Sequence, residues 1–66
     1  MKKIKKIKIK VNGKIITIID KLSLAKLIKD HKIPLTKVAI ELNKEILDKK
    51  KINKIKLRNK DIIEIV

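Results

Sequence analysis

The side chains suited to ligating a metal or moving a proton are few: one histidine, His31, seven carboxylates and no cysteine. A lone histidine without a second histidine or cysteine makes a poor metal site. His31 also follows Leu27 and Ile28 by one helical turn, which gives it a structural or solvent-facing role. Glu41, Glu45, Asp48, Asp61 and Glu64 could in principle supply a carboxylate pair for acid–base work. Glu41 and Glu64, however, fall on outward strand positions among lysines and read as surface charge. With no Ser/His/Asp set in view, the sequence leads us to expect no catalytic residue, metal site or bound cofactor, and a chain that is not itself an enzyme. The chemistry left is that of surfaces. A net charge of +13 attracts phosphate or anionic lipid, and Lys6, Lys8 and Lys10 form a stripe of period two. That stripe reads either as a solvated strand face that discourages edge pairing or as a phosphate-binding surface. Lysine supplies all but one of the cations and isoleucine dominates the apolar positions, a pair of biases that an AT-rich genome also produces. The chain has no Phe, Tyr or Trp, so the stacking platform of single-strand binders is missing.

The elements that position these residues follow from periodicity. Sixty-six residues make one domain, and at this size only about 60% of the unfolded surface is buried. An aliphatic core rich in β-branched residues leans towards sheet. Residues 1–6 are expected to form a flexible basic N-terminus and residues 7–66 the single folded domain. Ile7, Ile9 and Val11 alternate with lysines as in a strand with one wet face. Asn12-Gly13 then supplies the two positive-φ residues of a type I′ turn. Taken as a two-residue loop, it pairs Val11 with Lys14, Ile9 with Ile16 and Ile7 with Ile18. Turn chemistry and hydrophobic pattern choose the same register.

Residues 23–32 read as the one helix. Leu24, Leu27 and Ile28 share a face, Ser23 is placed to act as N-cap, and Leu22 and Leu27 have the spacing of a hydrophobic staple. Pro34 disfavours helical geometry at Ile33 and ends it. A third strand is expected over residues 37–43 with Val38, Ile40 and Leu42 inward, and a short fourth over 45–47 with Ile46 inward. Residues 48–56 read as a loop with one 3₁₀ turn that tucks Ile52 or Ile55 under the sheet. Leu57 anchors the end of that loop, residues 58–61 form a turn, and the last strand, 62–66, points Ile63 and Ile65 inward. This order places a single helix against a mixed sheet of four to five strands, an α+β arrangement of the β-grasp (ubiquitin-like) type.

Ile9-Lys10-Val11-Asn12-Gly13-Lys14, Leu22-Ser23-Leu24-Ala25-Lys26-Leu27-Ile28, Val38-Ala39-Ile40-Glu41-Leu42-Asn43-Lys44-Glu45-Ile46, and Leu57 with Asp61-Ile62-Ile63-Glu64-Ile65-Val66 together resemble the ThiS family of sulfur carriers. The resemblance implies a carrier for thiamin thiazole synthesis that ends in Gly-Gly. Its carboxylate is activated with ATP by a ThiF-like adenylyltransferase, converted to a thiocarboxylate and presented to a ThiG-like thiazole synthase. Glycines suit a tail that threads a narrow active site. The given sequence stops at Val66, before any Gly-Gly, so no residue in it takes the carrier role. Lys44 and Asn59-Lys60 stand where the family has glycine-containing turns, and asparagine can reach the required positive φ at one of them. The positive charge departs from the neutral or acidic charge expected of the family. Two other readings stand beside this one: a MoaD-like carrier of molybdopterin synthesis, and a basic nucleic-acid-binding β-grasp module of the TGS type.

Outward isoleucines are the remaining signal. Ile15, Ile19 and Ile62 on a wet sheet face suggest a partner surface, and with Arg58, Lys60 and Val66 they form the expected docking residues. The basic amino terminus lacks the apolar run of a secretory signal, and no stretch approaches a membrane span. A cytoplasmic location (or organelle stroma, if organelle-encoded) and a monomer when free are the resulting expectations, with weak polyanion binding allowed by the charge.

Overall fold

The hairpin forms first in the chain and in the register that its sequence dictates. In the computed structural model, which describes residues 4–66, β1 (Lys6–Val11) pairs antiparallel with β2 (Lys14–Ile19), setting Ile7 opposite Ile18, Ile9 opposite Ile16 and Val11 opposite Lys14. Asn12 and Gly13 adopt φ of 49° and 83°, the two left-handed residues of a type I′ turn. Strand β1 begins at Lys6, one residue before the expected start, because the Asp20 N–H donates to the Lys5 carbonyl at 2.8 Å and extends the ladder. The expectation for residues 1–3 lies outside the described residues.

Helix α1 (Leu24–Asp30) starts at Ser23, whose side chain accepts the Lys26 N–H. It is shorter than the expected span: the His31 N–H still bonds back to Leu27, and Lys32, at φ 54°, turns the chain out of the helix. Its apolar face of Leu24, Leu27 and Ile28 is buried against the sheet together with Ile7, Ile9, Ile40 and Ile63. The 3₁₀ helix (Lys49–Lys54), opened by Asp48 capping the Lys50 N–H, closes one end of this core by burying Ile52. Leu57, wholly buried, fastens that end. Its N–H donates to the Leu22 carbonyl at 2.8 Å and its carbonyl accepts the Lys21 N–H at 3.2 Å.

Strands β3 (Ile40–Leu42), β4 (Glu45–Ile46) and β5 (Ile62–Ile65) complete a five-stranded sheet in the order β2-β1-β5-β3-β4. The last strand in sequence thus lies in the middle, parallel to β1 and antiparallel to β3. One helix packs on one face of this mixed sheet, the β-grasp arrangement expected.

Two expectations need correcting here. The third strand is laddered over Ile40–Leu42, shorter than residues 37–43. Ile46 does not point inward: it is 74% exposed, because it pairs with Glu41, itself an outward residue, and cross-strand partners share a face. Positive φ at the two glycine-free turns is supplied by Asn43 with Lys44, at 51° and 72°, and by Lys60 rather than Asn59, at 71°. For each lysine this conformation costs about 1–2 kcal/mol.

Candidate functional site at the root of the central strand

Strand β5 is held at both ends by side chains as well as by its neighbours. At its start the Asn43 amide donates to Asp61 Oδ1 at 3.1 Å, while Asn43 Oδ1 accepts the Ile62 N–H at 2.9 Å. The second carboxylate oxygen of Asp61 accepts the Arg58 N–H at 2.9 Å and so closes the turn that leads into the strand. Asn59 Oδ1 accepts the Lys8 N–H at 3.0 Å, and the Lys60 N–H donates to the Lys8 carbonyl at 2.7 Å. The entry to β5 is therefore fastened to both flanking strands.

The far end is tied just as closely. Pairing of β1 with β5 stops at Val11 and Ile63, because the chain turns away at Asn12. The Asn12 N–H donates to the Ile63 carbonyl at 2.9 Å, and its Oδ1 takes over from the missing strand by accepting the Ile65 N–H at 2.7 Å. On the other side Val66 and Ala39 exchange two backbone bonds, of 3.0 and 2.7 Å. A chain continuing past Val66 leaves the fold from a fixed point, beyond the tip of the first hairpin.

The outward face of the sheet changes character across its width. Lys10 stands opposite Ile15 on one side and Ile62 on the other, forming an apolar–basic–apolar row. A shallow groove of about 410 Å³ follows this row, with Lys8, Lys10 and Lys60 around Ile15 and Ile62. On the other half of the face Glu64 stands directly opposite Glu41, which in turn stands opposite Ile46. Among the described residues no group of three or more His, Cys, Asp or Glu is placed to hold a metal ion, and no helix is long and apolar enough to cross a membrane.

Of the docking residues read from the sequence, the structure brings Ile15, Lys60 and Ile62 into one groove. Ile19 lies at the opposite end of β2, facing Lys6 across the hairpin. Arg58 lines a different concavity. Val66 sits beyond both, at the exit of β5, and is 70% exposed. Sequence reasoning missed Asn12 as a fastening for the last strand, since Asn-Gly announces a turn and says nothing about where the carboxamide points. It also missed Ile46 as part of the outward apolar surface.

The ThiS family model matches residues 9–66. Among solved structures, the crystal structure of a thiamine biosynthesis protein (ThiS) from Geobacter metallireducens superimposes with a TM-score of 0.83 at 25% identity, covering 91% of each chain. No curated protein matches the sequence. Spanning nearly all of the folded domain from β1 to β5, the family match establishes that the chain belongs to the ThiS family.

Proposed function

We propose that this protein is a sulfur carrier of thiamine biosynthesis, acting in the cytoplasm through a Gly-Gly segment that follows Val66 in the functional chain. In this reading the terminal carboxylate is activated with ATP by a ThiF-like adenylyltransferase, carries sulfur as a thiocarboxylate, and passes it to a ThiG-like thiazole synthase. The carrier is thus the substrate of an enzyme rather than an enzyme. The observation that carries the reading, beyond family membership, is the double fastening of β5. Asn12 and Ala39 hold the strand to its last residues, so a tail beyond it projects from a rigid root and an activating enzyme can locate the carboxylate by docking the body.

The docking surface we assign is the groove of Ile15, Lys60 and Ile62; Ile19, Arg58 and Val66, expected from the sequence to share it, lie outside that groove. Exposed isoleucines supply the apolar centre and the cations a polar rim, the usual anatomy of a specific interface. Incubating the full native chain with a ThiF-like adenylyltransferase, ATP and a sulfur donor, followed by intact-mass analysis, tests the function. Gain of the mass difference between sulfur and oxygen at the carboxyl end is expected. A chain that ends in Gly-Gly and stays unmodified by an adenylyltransferase active on its own carrier would overturn the proposal.

A further inference from the structure

We propose that the concavity at the end of the sheet opposite the Val66 exit is a binding site for consecutive phosphates, as in a nucleic-acid backbone or a polyphosphate chain. It lies between the start of β1, the end of β2 and the segment that joins the 3₁₀ helix to β5, with a volume of about 720 Å³. Five of its nine lining residues, Lys5, Lys21, Lys54, Lys56 and Arg58, are cations. The single carboxylate among them, Asp20, has Lys5 Nζ at 4.0 Å. Five cations and one carboxylate leave a formal charge of +4 (5 − 1) around this one hollow.

The walls are fixed. The Leu57 N–H bonds to the Leu22 carbonyl, the Lys21 N–H to the Leu57 carbonyl and the Leu24 N–H to the Ile55 carbonyl, and Ser23 bridges to Lys56. The floor is the buried pair Ile7 and Leu57. Cations from distant parts of the chain are held around one hollow by this backbone lattice, which gathers their potential where a phosphate chain would lie. With no aromatic residue in the protein, bases have nothing to stack on, so recognition is by charge and is independent of sequence. The lysine stripe of β1 differs: Lys8 and Lys10 border the other groove, among isoleucines.

The test separates this site from the charge of the protein as a whole. Lys54→Gln/Lys56→Gln/Arg58→Gln and a control, Lys29→Gln/Lys32→Gln/Lys37→Gln, each lower the formal charge from +13 to +10 (13 − 3). All six side chains are exposed, so both variants fold, as circular dichroism will verify. Binding of a labelled oligouridylate, by anisotropy across a salt series, and of tripolyphosphate, by calorimetry, are measured for all three proteins. The groove variant is expected to bind about tenfold more weakly and to flatten the salt slope by about 2, at roughly 0.7 for each single-strand phosphate that is no longer neutralised, while the control moves little. Binding of oligouridylate alone identifies a nucleic-acid backbone as the source, and equal weakening for both probes identifies any phosphate chain. Equal weakening in groove variant and control, or no binding of either probe at about 0.1 M salt, would overturn the site.

Discussion

Asn12 Oδ1 accepts the backbone N–H of Ile65 at 2.7 Å, so a residue of the first turn holds the last strand of the chain. The bond lies just where β1 has ended and β5 has not. Without it one edge of Ile65 would face water alone. Asn12→Gly keeps the left-handed turn, since Gly-Gly also suits type I′, and removes only the side-chain acceptor. We expect a loss of about 1 kcal/mol, and about fivefold faster exchange of the Ile65 amide in NMR hydrogen exchange. The Val66 amide, bonded to Ala39, is expected to change less. Equal acceleration at both would mean that the strand end frays as a unit.

How much of the fold is legible in the sequence depends on whether two signals agree. In the first hairpin the turn residues and the period-2 pattern demand one register, and that register is found. At Ile46 only the apolar character of the residue is available, and in a two-residue strand alternation has nothing to repeat. The facing partner decides it: Glu41 points out, so Ile46 does too. The candidate groove shows the same limit at longer range. Ile15, Lys60 and Ile62 meet because β5 threads in beside β1, a fact of topology that spacing along the chain does not encode. The concentration of Lys5, Lys21, Lys54, Lys56 and Arg58 is invisible in the sequence for the same reason.

Leu57 and Ile46 should respond oppositely to truncation although both are aliphatic. Leu57 is 0% exposed and Ile46 74%. Leu57→Ala is expected to cost about 2–5 kcal/mol through forfeited transfer energy and an unfilled cavity. The whole stability of a 66-residue chain is only roughly 3–10 kcal/mol at the usual value per residue, so this change approaches complete unfolding. Ile46→Ala should stay within about 0.5 kcal/mol. Urea denaturation of both variants checks the contrast, and a small effect at Leu57 would mean that the loop it anchors folds independently of the core.

Salt should stabilise this protein. Only two ion pairs occur among the described residues, Lys5 with Asp20 and Lys26 with Asp30. Pairs with exposed members are worth about 0–1 kcal/mol each, so screening removes little attraction. Against this stands the mutual repulsion of a net charge of +13. Shortening the Debye length from about 30 Å at 0.01 M to about 8 Å at 0.15 M suppresses that repulsion. A gain of about 1 kcal/mol would raise the midpoint of a domain this small by about 4–8 °C. Thermal unfolding in sodium chloride measures it, and a falling midpoint would show that attractive pairs outweigh the repulsion.

Ile62→Asp tests the assigned docking groove. Ile62 is 37% exposed and stands beside Lys10 on the outward face, so a carboxylate there meets a cation and water rather than the core. The fold should survive. At the centre of an interface, by contrast, the new charge would be desolvated against the partner, and changes at such positions commonly cost about 2 kcal/mol or more. Affinity for a ThiF-like adenylyltransferase, measured by calorimetry, is expected to fall at least about tenfold. Ile19→Asp, at the other end of β2 and outside the groove, supplies the comparison. Weakening confined to Ile62 places the docking surface in the groove, and similar weakening at both positions extends it along the whole β1–β2 face. Unchanged binding of Ile62→Asp would remove the groove from the interface and leave the strand exit at Val66 as the place where the partner reads this protein.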